Sequence, residues 1–340
     1  MFDESVGPGT FTLDLHWDAA FNPRPNALFR AERGEDAYVA SQFQPIAARE
    51  AFPGFDEPGF KVPFDITLIT PAEDVAITNT PEVSEEDLGD GFTRRVFATT
   101  RPLPTYLLAF AVGPYDLVDF GEIPPNDVRK RPLPLRAITT RGQGERLTYA
   151  LENTAGILQT LEEYFGTEYP FRKLDLIAMP TSFGGAMENA GAVTYDEYLI
   201  LMDENSALDQ RRSYTAVHAH ELGHMWFGDL VTPDWWTDIW LNESFATWIA
   251  YKAAHEHWPE GEFDRSAMKG ALGAMSEDSL AAARQIREPV VHNDAIIDAF
   301  DGITYQKGGG VLAMLERYTG EEAFRNGIRL HMERHADGVA

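Results

Sequence analysis

The chain has 340 residues, of which 44% are hydrophobic and 24% are charged. This composition excludes a disordered chain and is typical of a globular protein of about two domains. The formal net charge of −26 argues against nucleic acid and anionic membranes as partners, because both require a basic surface. The absence of cysteine excludes disulfides and thiolate ligands, so any metal must be bound by histidine and carboxylate side chains.

The sequence contains no targeting or membrane signal. No apolar run is long enough to cross a bilayer, and the first residues lack the basic and apolar regions of a signal peptide. We therefore expect a soluble protein without a membrane segment, cytoplasmic by default. Neither observation decides the compartment.

The first part of the chain consists of short alternating apolar runs that are interrupted by Gly, Pro and Asp, which predicts an antiparallel β domain. The predicted strands are residues 11–17, 38–43, 64–69, 93–98, 106–112 and 133–138. The acidic stretch 81–90 is interpreted as a solvated turn.

Helical periodicity begins at Glu145, so we place the domain boundary at this change and divide the chain into residues 1–137 and 138–340. The first helix is expected to end near Gly166. Strands at 174–179 and 192–201 and two further helices follow. The first of these helices is predicted to open with a capping box at Ser206 and to end at Phe227, and the second to span about 241–256. The fold class is therefore α+β.

The most informative motif, His220-Glu221-Leu222-Gly223-His224, lies in the helix that follows Ser206. Residues four apart on a helix differ by about 40° in direction, so both imidazoles can face one ion while Glu221 flanks the same cleft. This spacing is typical of zinc metallohydrolases. The alternative, a histidine pair that is solvated or packed in the core, is less favoured because the motif requires three matching residues on one helix.

A catalytic zinc usually has three ligands from the protein, so a third should lie nearby. Glu243, on the next predicted helix, is the leading candidate. Its rivals on spacing alone are Asp229, Asp234 and Asp238. His218 lies about 200° around the helix from His220, so we expect it to pack elsewhere.

Further segments extend the pattern over most of the chain, from about residue 37 to residue 329. They are Gln42-Phe43-Gln44-Pro45, Phe52-Pro53-x-Phe55-Asp56-Glu57-Pro58, Gly185-Ala186-Met187-Glu188-Asn189, Trp226-Phe227-Gly228, Trp240-Leu241-Asn242-Glu243 and Tyr305-Gln306-Lys307-Gly308. With these residues the chain resembles the zinc aminopeptidases of the aminopeptidase N type, which are gluzincin metallopeptidases and relatives of thermolysin. The resemblance implies that residues 138–340 form a thermolysin-like, mainly helical catalytic domain.

The resemblance also implies a role for individual residues. His220, His224 and Glu243 would bind one zinc ion, Glu221 would be the general base, and Tyr305 would stabilise the oxyanion. Glu188 would pair with the free α-ammonium of a peptide substrate, with Gln44 as a second contact to the amine. The Gly185–Ala186 backbone would receive the substrate strand, and Phe300 would line the pocket for a neutral first side chain. Met187 and Asn189 belong to the same substrate-binding segment.

The resemblance leaves alternatives open. Relatives usually carry a longer β domain and additional C-terminal helices, so the chain is interpreted as a partial or minimal form. The alternatives are a related zinc hydrolase, acting on internal peptide bonds or on an epoxide, and a catalytically inactive peptide-binding fragment. The Gly308-Gly309-Gly310 run lacks the spacing of a Walker motif, so a nucleotide site is rejected.

Overall fold

A computed structural model describes residues 7–203 and 205–340, and it confirms the α+β fold class. Sheets occupy the first half of the described chain and helices most of the second. The strands are β1 Ala27–Arg33, β2 Asp36–Gln42, β3 Thr67–Pro71, β4 Val75–Ile77, β5 Glu82–Gly89, β6 Phe92–Phe97, β7 Ala111–Gly113, β8 Asp116–Ile123, β9 Leu133–Thr139, β10 Leu174–Met179, β11 Ala186–Met187 and β12 Ala192–Asp196.

The described strands form three sheets. Two are antiparallel, with the strand orders β1-β2-β7-β4 and β3-β6-β5. The third has the order β11-β12-β10-β9-β8 and is mixed, because β10 runs parallel to both β9 and β12. Strand β10 is buried along its whole length, as expected for a central strand that is covered on both faces.

The division of the chain between residues 137 and 138 stays a prediction. In the structure this position falls inside β9, which is hydrogen-bonded to β8 on one side and to β10 on the other. The mixed sheet thus joins strands from both sides of the predicted boundary. Periodicity marks the start of the helical part but does not reveal which strands share a sheet.

The helices are α1 Thr148–Phe165, α2 Glu197–Ile200, α3 Leu208–His224, α4 Ile239–His257, α5 Phe263–Asp278, α6 Gly308–Thr319 and α7 Glu321–His335. Helix α1 ends as predicted, because Gly166 adopts the left-handed conformation (φ 65°) and its N–H bonds to the Glu162 carbonyl. Among the described residues, no helix combines the length and the apolar character that a membrane crossing requires.

Glycine allows the helices around α4 to approach closely. A Cβ on Gly223 of α3 would lie 2.9 Å from Ile249 Cγ2, and a Cβ on Gly308 of α6 would lie 2.7 Å from Ser244 Cβ. Contacts under 3.0 Å require the neighbouring atoms to move, and packed helices resist such movement. The first residue of the glycine run therefore has a packing role at the α4–α6 contact.

Two predictions in the β region are wrong. Residues 11–17 form no strand, and Phe11, Leu13 and Trp17 are exposed in an extended segment despite their alternation. Residues 82–89 form β5 instead of a turn. This strand is exposed on both faces and is held by its ladder to β6 and by charge pairs such as Arg95–Glu85. Its sequence is therefore mostly polar and lacks the apolar alternation by which strands are predicted.

Other element bounds also differ. The predicted strand at 64–69 begins only at Thr67, and most of 106–112 lies outside a strand. Strand β12 ends at Asp196 and the chain continues into α2. Helix α3 begins at Leu208 with no capping side-chain bond, since the Ser206 hydroxyl accepts a bond from the Asp203 N–H instead. The helix ends at His224, three residues before the predicted end.

The close contact between α4 and α6 predicts that Gly308→Ala destabilises the fold by about 1–3 kcal/mol, the usual cost of overpacking. Gly327→Ala is the matched control, because Gly327 lies in α7 with open space at its Cβ position. This control should be neutral or stabilise the fold by up to about 1 kcal/mol. Urea-induced unfolding followed by circular dichroism measures both. Equal stability of the two variants would contradict the packing role of Gly308.

Candidate metal centre and active site

Two helices bring the metal-binding candidates together. The end of α3 carries His220 and His224, and the first turns of α4 carry Glu243. The Nε2 atoms of His220 and His224 lie 3.0 Å apart, and the Oε2 atom of Glu243 lies 3.2 Å from the first and 3.3 Å from the second. The predicted ligands therefore form a compact triangle of donor atoms.

The triangle fits a tetrahedral zinc ion. Ligands that bind zinc at about 2.0–2.1 Å with tetrahedral angles lie about 3.3–3.4 Å from each other. The Nδ1 atom of His224 lies 2.9 Å from the Phe227 carbonyl oxygen and can donate to it, which leaves the lone pair on Nε2 directed into the triangle. The donor set, two imidazoles and one carboxylate, is one of those that catalytic zinc uses.

Buried negative charge surrounds this triangle. Glu188, Glu221 and Glu243 are all buried, and ligand atoms of Glu188, Glu221 and His224 lie within 4.8 Å of one another. Burial raises the pKa of the Glu221 carboxyl group well above its usual value, and burial together with the charge of Glu243 raises the pKa of Glu188. Cations that enter this site would therefore be stabilised.

The surrounding charges favour the charged form of two of the ligand groups, His224 and Glu243. Burial alone would lower the pKa of His224, but the carboxylates of Glu188 and Glu243 outweigh it and raise the pKa well above normal. Burial would raise the pKa of Glu243, yet the two imidazoles outweigh it and lower the pKa to about 2. Glu243 is thus ionised at neutral pH, as a metal ligand must be.

A cavity of about 470 Å³ opens onto the triangle. Of the predicted site residues, Gln44, Gly185, Ala186, Glu188, Glu221 and Tyr305 line it together with the three metal-binding candidates. Gln44 Nε2 donates a hydrogen bond to Glu188 Oε1 at 3.3 Å, so the two predicted contacts to the amine lie side by side.

The glycine-containing loop before β11 forms one wall of the cavity. Gly184 (φ 109°) and Gly185 (φ 154°) adopt backbone conformations that favour glycine. The buried Asp196 carboxylate holds this loop, because it accepts bonds from the Ser182 hydroxyl and the Phe183 N–H. Strand β11 lies at the edge of the mixed sheet, and among the described strands it pairs only with β12.

Tyr305 lies beside His220 in the lining of the cavity. Its ring stacks on the His220 ring, with centroids 5.9 Å apart and planes at 18°. Burial raises the pKa of the Tyr305 phenol well above its usual value, and the surrounding carboxylates raise it further. Tyr305 is therefore a neutral hydrogen-bond donor at the metal centre.

Three predicted site residues lie outside the lining of the cavity. Met187 is buried in the hydrophobic core, Asn189 donates a hydrogen bond to Thr194 Oγ1, and Phe300 packs against Trp236. Met187 and Asn189 support the segment around Glu188. The pocket role of Phe300 stays a prediction.

The sequence reasoning missed most of the neutral lining, which consists of Tyr198, Leu199, Ala216, Val217, Thr247, Ala250, Tyr251 and Gln306. Helical periodicity could have found part of it. Ala216 and Val217 precede His220 by four and three residues, and Thr247 and Ala250 follow Glu243 by four and seven, so each lies on the same helix face as a ligand.

The rival candidates do not join the triangle in the structure. His218 lies 3.0 Å from Thr154 Oγ1 and 2.7 Å from the Tyr195 hydroxyl, in agreement with its predicted packing role. Asp238 pairs with Arg287 and Asp234 is exposed. Asp229 is buried beyond the end of α3, where Lys61 donates a hydrogen bond to its backbone carbonyl.

Two models of known protein families match the chain. The model of the peptidase family M1 domain matches residues 149–340, and the model of the peptidase M1 N-terminal domain matches residues 1–107. The chain belongs to peptidase family M1. This confirms the resemblance, and the family implies zinc as the metal.

Curated relatives agree with this assignment. Aminopeptidase M1-A of Oryza sativa subsp. japonica is 38% identical over 98% of the chain, which corresponds to 38% of that protein. Probable aminopeptidase 1 of Sulfurisphaera tokodaii is 40% identical over 85% of the chain and 36% of its own length. Aminopeptidase 2 of Candida albicans is 35% identical over 99% of the chain and 36% of its own length. The chain thus spans less than two fifths of each of these relatives.

The triangle predicts that His224→Ala weakens zinc binding by more than the roughly 10- to 100-fold that loss of a supporting hydrogen bond costs. His255→Ala is the matched control, because His255 lies on α4 and its side chain is 45% exposed. Titration of zinc against a competing chelator measures both affinities. Zinc affinity that is unchanged in His224→Ala would show that the metal is bound elsewhere.

Proposed function

We propose that the chain carries the active site of a zinc aminopeptidase that hydrolyses the first peptide bond of peptides with a free N-terminus and a neutral first residue. One observation carries this proposal: the Glu188 carboxylate lies in the same buried cavity as the triangle of His220, His224 and Glu243. A carboxylate at a fixed distance from the metal-binding residues selects a substrate whose ammonium group lies one residue from the scissile bond.

His220, His224 and Glu243 would hold one zinc ion per chain. Zinc bound there supplies a Lewis acid that lowers the pKa of a water molecule toward about 7. The carboxylates beside the triangle, Glu188 and Glu221, are not needed as ligands in this arrangement and are available for the substrate and for proton transfer.

Glu221 is the general base in this proposal. Its carboxylate accepts a proton from the attacking water and then donates it to the nitrogen of the leaving amine as the peptide bond breaks. Burial raises the pKa of the Glu221 carboxyl group, so once protonated it retains the proton until the leaving nitrogen accepts it. The phenol of Tyr305 donates a hydrogen bond to the oxygen on which negative charge develops.

Glu188 and Gln44 bind the α-ammonium group. The Glu188 carboxylate pairs with its charge, and the Gln44 side chain that already bonds Glu188 presents its carbonyl oxygen as a further acceptor. The substrate backbone adds to the free edge of β11 beside Ala186. The first side chain meets neutral residues such as Leu199, Ala216 and Val217, which favours neutral over charged residues.

The alternatives make different predictions for the same assay. A related zinc hydrolase with internal specificity would cleave N-blocked peptides, and an inactive peptide-binding fragment would bind peptides without cleaving them. The assay is hydrolysis of amino-acid anilides and of N-acetylated peptides by the zinc-loaded chain, with and without a chelator. Chelator-sensitive release of N-terminal residues supports the aminopeptidase proposal over both alternatives.

The role of Glu221 predicts that Glu221→Gln retains zinc but lowers kcat by about 10²- to 10⁴-fold, because the amide cannot accept the proton of the water. Glu256→Gln, an exposed change on α4, is the control and should leave kcat unchanged. Elemental analysis and anilide hydrolysis are measured on the same samples. A zinc-loaded Glu221→Gln variant with normal turnover would refute this assignment.

The role of Glu188 predicts that N-acetylation of a peptide removes about 2–5 kcal/mol of binding, because the buried carboxylate loses its cationic partner. This corresponds to a roughly 30- to 3,000-fold loss in kcat/KM. Glu188→Gln should slow the free-amine peptide and narrow the difference between the two substrates. Mass spectrometry of the products measures both rates. Similar rates for free and acetylated peptides would reject the exopeptidase proposal while leaving the zinc site intact.

A further inference from the structure

Tyr305 lies on an unusual turn. Residues Ile303–Lys307 form a single π-helical turn directly before α6. Such turns are rare and occur often at functional sites. Relaxation to an α-helix would shift the register of the following residues by about 100° and would turn the Tyr305 ring away from His220. The turn must therefore be held by contacts outside itself.

Asp301 holds the beginning of this turn. Its Oδ1 atom accepts hydrogen bonds from the N–H groups of Ile303 at 2.9 Å and Thr304 at 3.1 Å, and its backbone carbonyl accepts one from the Tyr305 N–H at 3.1 Å. A carboxylate at this position satisfies donors that would otherwise be free at the start of a helix. The orientation of Asp301 thus determines where the turn begins.

Arg284 in turn orients Asp301. Its Nε donates to Asp301 Oδ2 at 2.8 Å and its Nη2 donates to Asp301 Oδ1, which gives a two-pronged pair. The same Nη2 also reaches the Thr304 hydroxyl and the Ala299 carbonyl. Arg284 therefore bonds Asp301, which holds the start of the turn, and Thr304, which precedes Tyr305, although it does not line the cavity within the described chain.

Asp301 is ionised at neutral pH and pairs with the Arg284 guanidinium. Partial burial would raise the pKa of Asp301, but the hydrogen bonds from Arg284 and from the Thr304 N–H outweigh it and hold the pKa below its usual value. The first half of the turn is also fixed to α4, because the Ser244 hydroxyl donates to the Thr304 carbonyl at 2.6 Å. Ser244 is the neighbour of Glu243, so the turn is anchored both to the metal helix and to Arg284.

We propose that Arg284 is a positioning residue for Tyr305: by clamping Asp301 and Thr304 it keeps the π turn in the conformation that directs the phenol toward the reacting oxygen. This inference rests on the proposed function, because it assigns Arg284 to the same step as Tyr305. Lysine cannot replace it fully, since only a guanidinium group can bond both oxygens of Asp301 and the Thr304 hydroxyl at once.

The chain offers a matched control three residues away. Arg287 also forms a two-pronged pair, with Asp238, but its side chain is 60% exposed and the pair lies at the start of α4. Arg287→Met therefore removes the same chemical group from the same irregular segment without touching the turn. If loss of either arginine merely loosened this segment, both variants would change the environment of Tyr305. If Arg284 positions Tyr305, only Arg284→Met would change it.

The first experiment reports on Tyr305 directly and needs no catalysis. The fluorine resonance of 3-fluorotyrosine placed at position 305 is recorded by NMR in the unaltered chain, Arg284→Met, Arg284→Lys and Arg287→Met. We expect one narrow resonance in the unaltered chain and in Arg287→Met, and a broadened or second resonance in Arg284→Met. Should Arg284→Met fail to fold, Arg284→Lys is the variant scored, and we expect a second resonance there too. A resonance that is unchanged in the folded Arg284 variants overturns the proposal.

The second experiment measures the effect on the reacting oxygen. Calorimetry gives the affinity of the zinc-loaded chain for a phosphinic dipeptide, whose oxygens mimic the tetrahedral transition state, and for free leucine. We expect Arg284→Met to weaken phosphinate binding about tenfold, within the range of directly coupled residues, and to leave leucine binding unchanged. In the Tyr305→Phe background the same change should have little effect, because the group that Arg284 positions is then absent.

Equal losses in both backgrounds, or equal losses for leucine and the phosphinate, would show that Arg284 acts only on general stability and would overturn the proposal. Failure of the proposed function can be distinguished from failure of the positioning role. An unaltered chain that binds zinc but neither hydrolyses peptides nor binds the phosphinate contradicts the proposed function, while the fluorine spectra still decide whether Arg284 positions Tyr305.

Discussion

Burying carboxylates together with imidazoles in one cavity is the constraint on which the rest of the site depends. Glu188, Glu221 and Glu243 are withdrawn from water beside His220 and His224, and their mutual repulsion would be costly without compensating cations. Under the proposed function, a divalent ion within the triangle and an ammonium group beside Glu188 would provide that compensation. The same low polarity that makes the empty arrangement costly strengthens each of these interactions, so recognition of the metal and of the substrate follows from one electrostatic cause.

The packing of α3 against α4 brings these side chains together. The triangle forms only if the end of α3 approaches the start of α4, and Gly223 permits this because any side chain there would meet Ile249. Gly308 extends the close packing to α6 on the other side of α4. Small residues at helix contacts thus determine distances between donor atoms on other residues, and a motif of metal-binding side chains is insufficient without them.

The walls of the cleft come from separate parts of the chain. The mixed sheet provides the edge strand β11 and the loop that Asp196 holds, while the β region contributes Gln44, which bonds Glu188 across 144 positions of sequence. The π turn contributes Tyr305, held between Arg284 and Ser244. Each of these cavity residues is therefore held by a hydrogen-bonded neighbour, which is the usual requirement for a site with fixed geometry.

The sequence by itself determined that His220 and His224 can face the same point, because their spacing on one helix is a local property that periodicity reveals. It also indicated the α+β class and the long helices, whose apolar periods are strong. It failed at the exposed strand β5, where polarity resembles a turn, and at residues 11–17, where alternation alone does not provide a partner strand.

Only the tertiary structure decided which distant residues meet. The pairing of Glu188 with Gln44, the clamp of Arg284 on the turn of Tyr305 and the neutral lining of the cleft all join segments far apart in the chain. The strand order of the mixed sheet, which crosses the predicted domain boundary, is decided in the same way. A local sequence pattern shows which face of a helix or strand is apolar. Which other element packs against that face depends on the packing of the whole core.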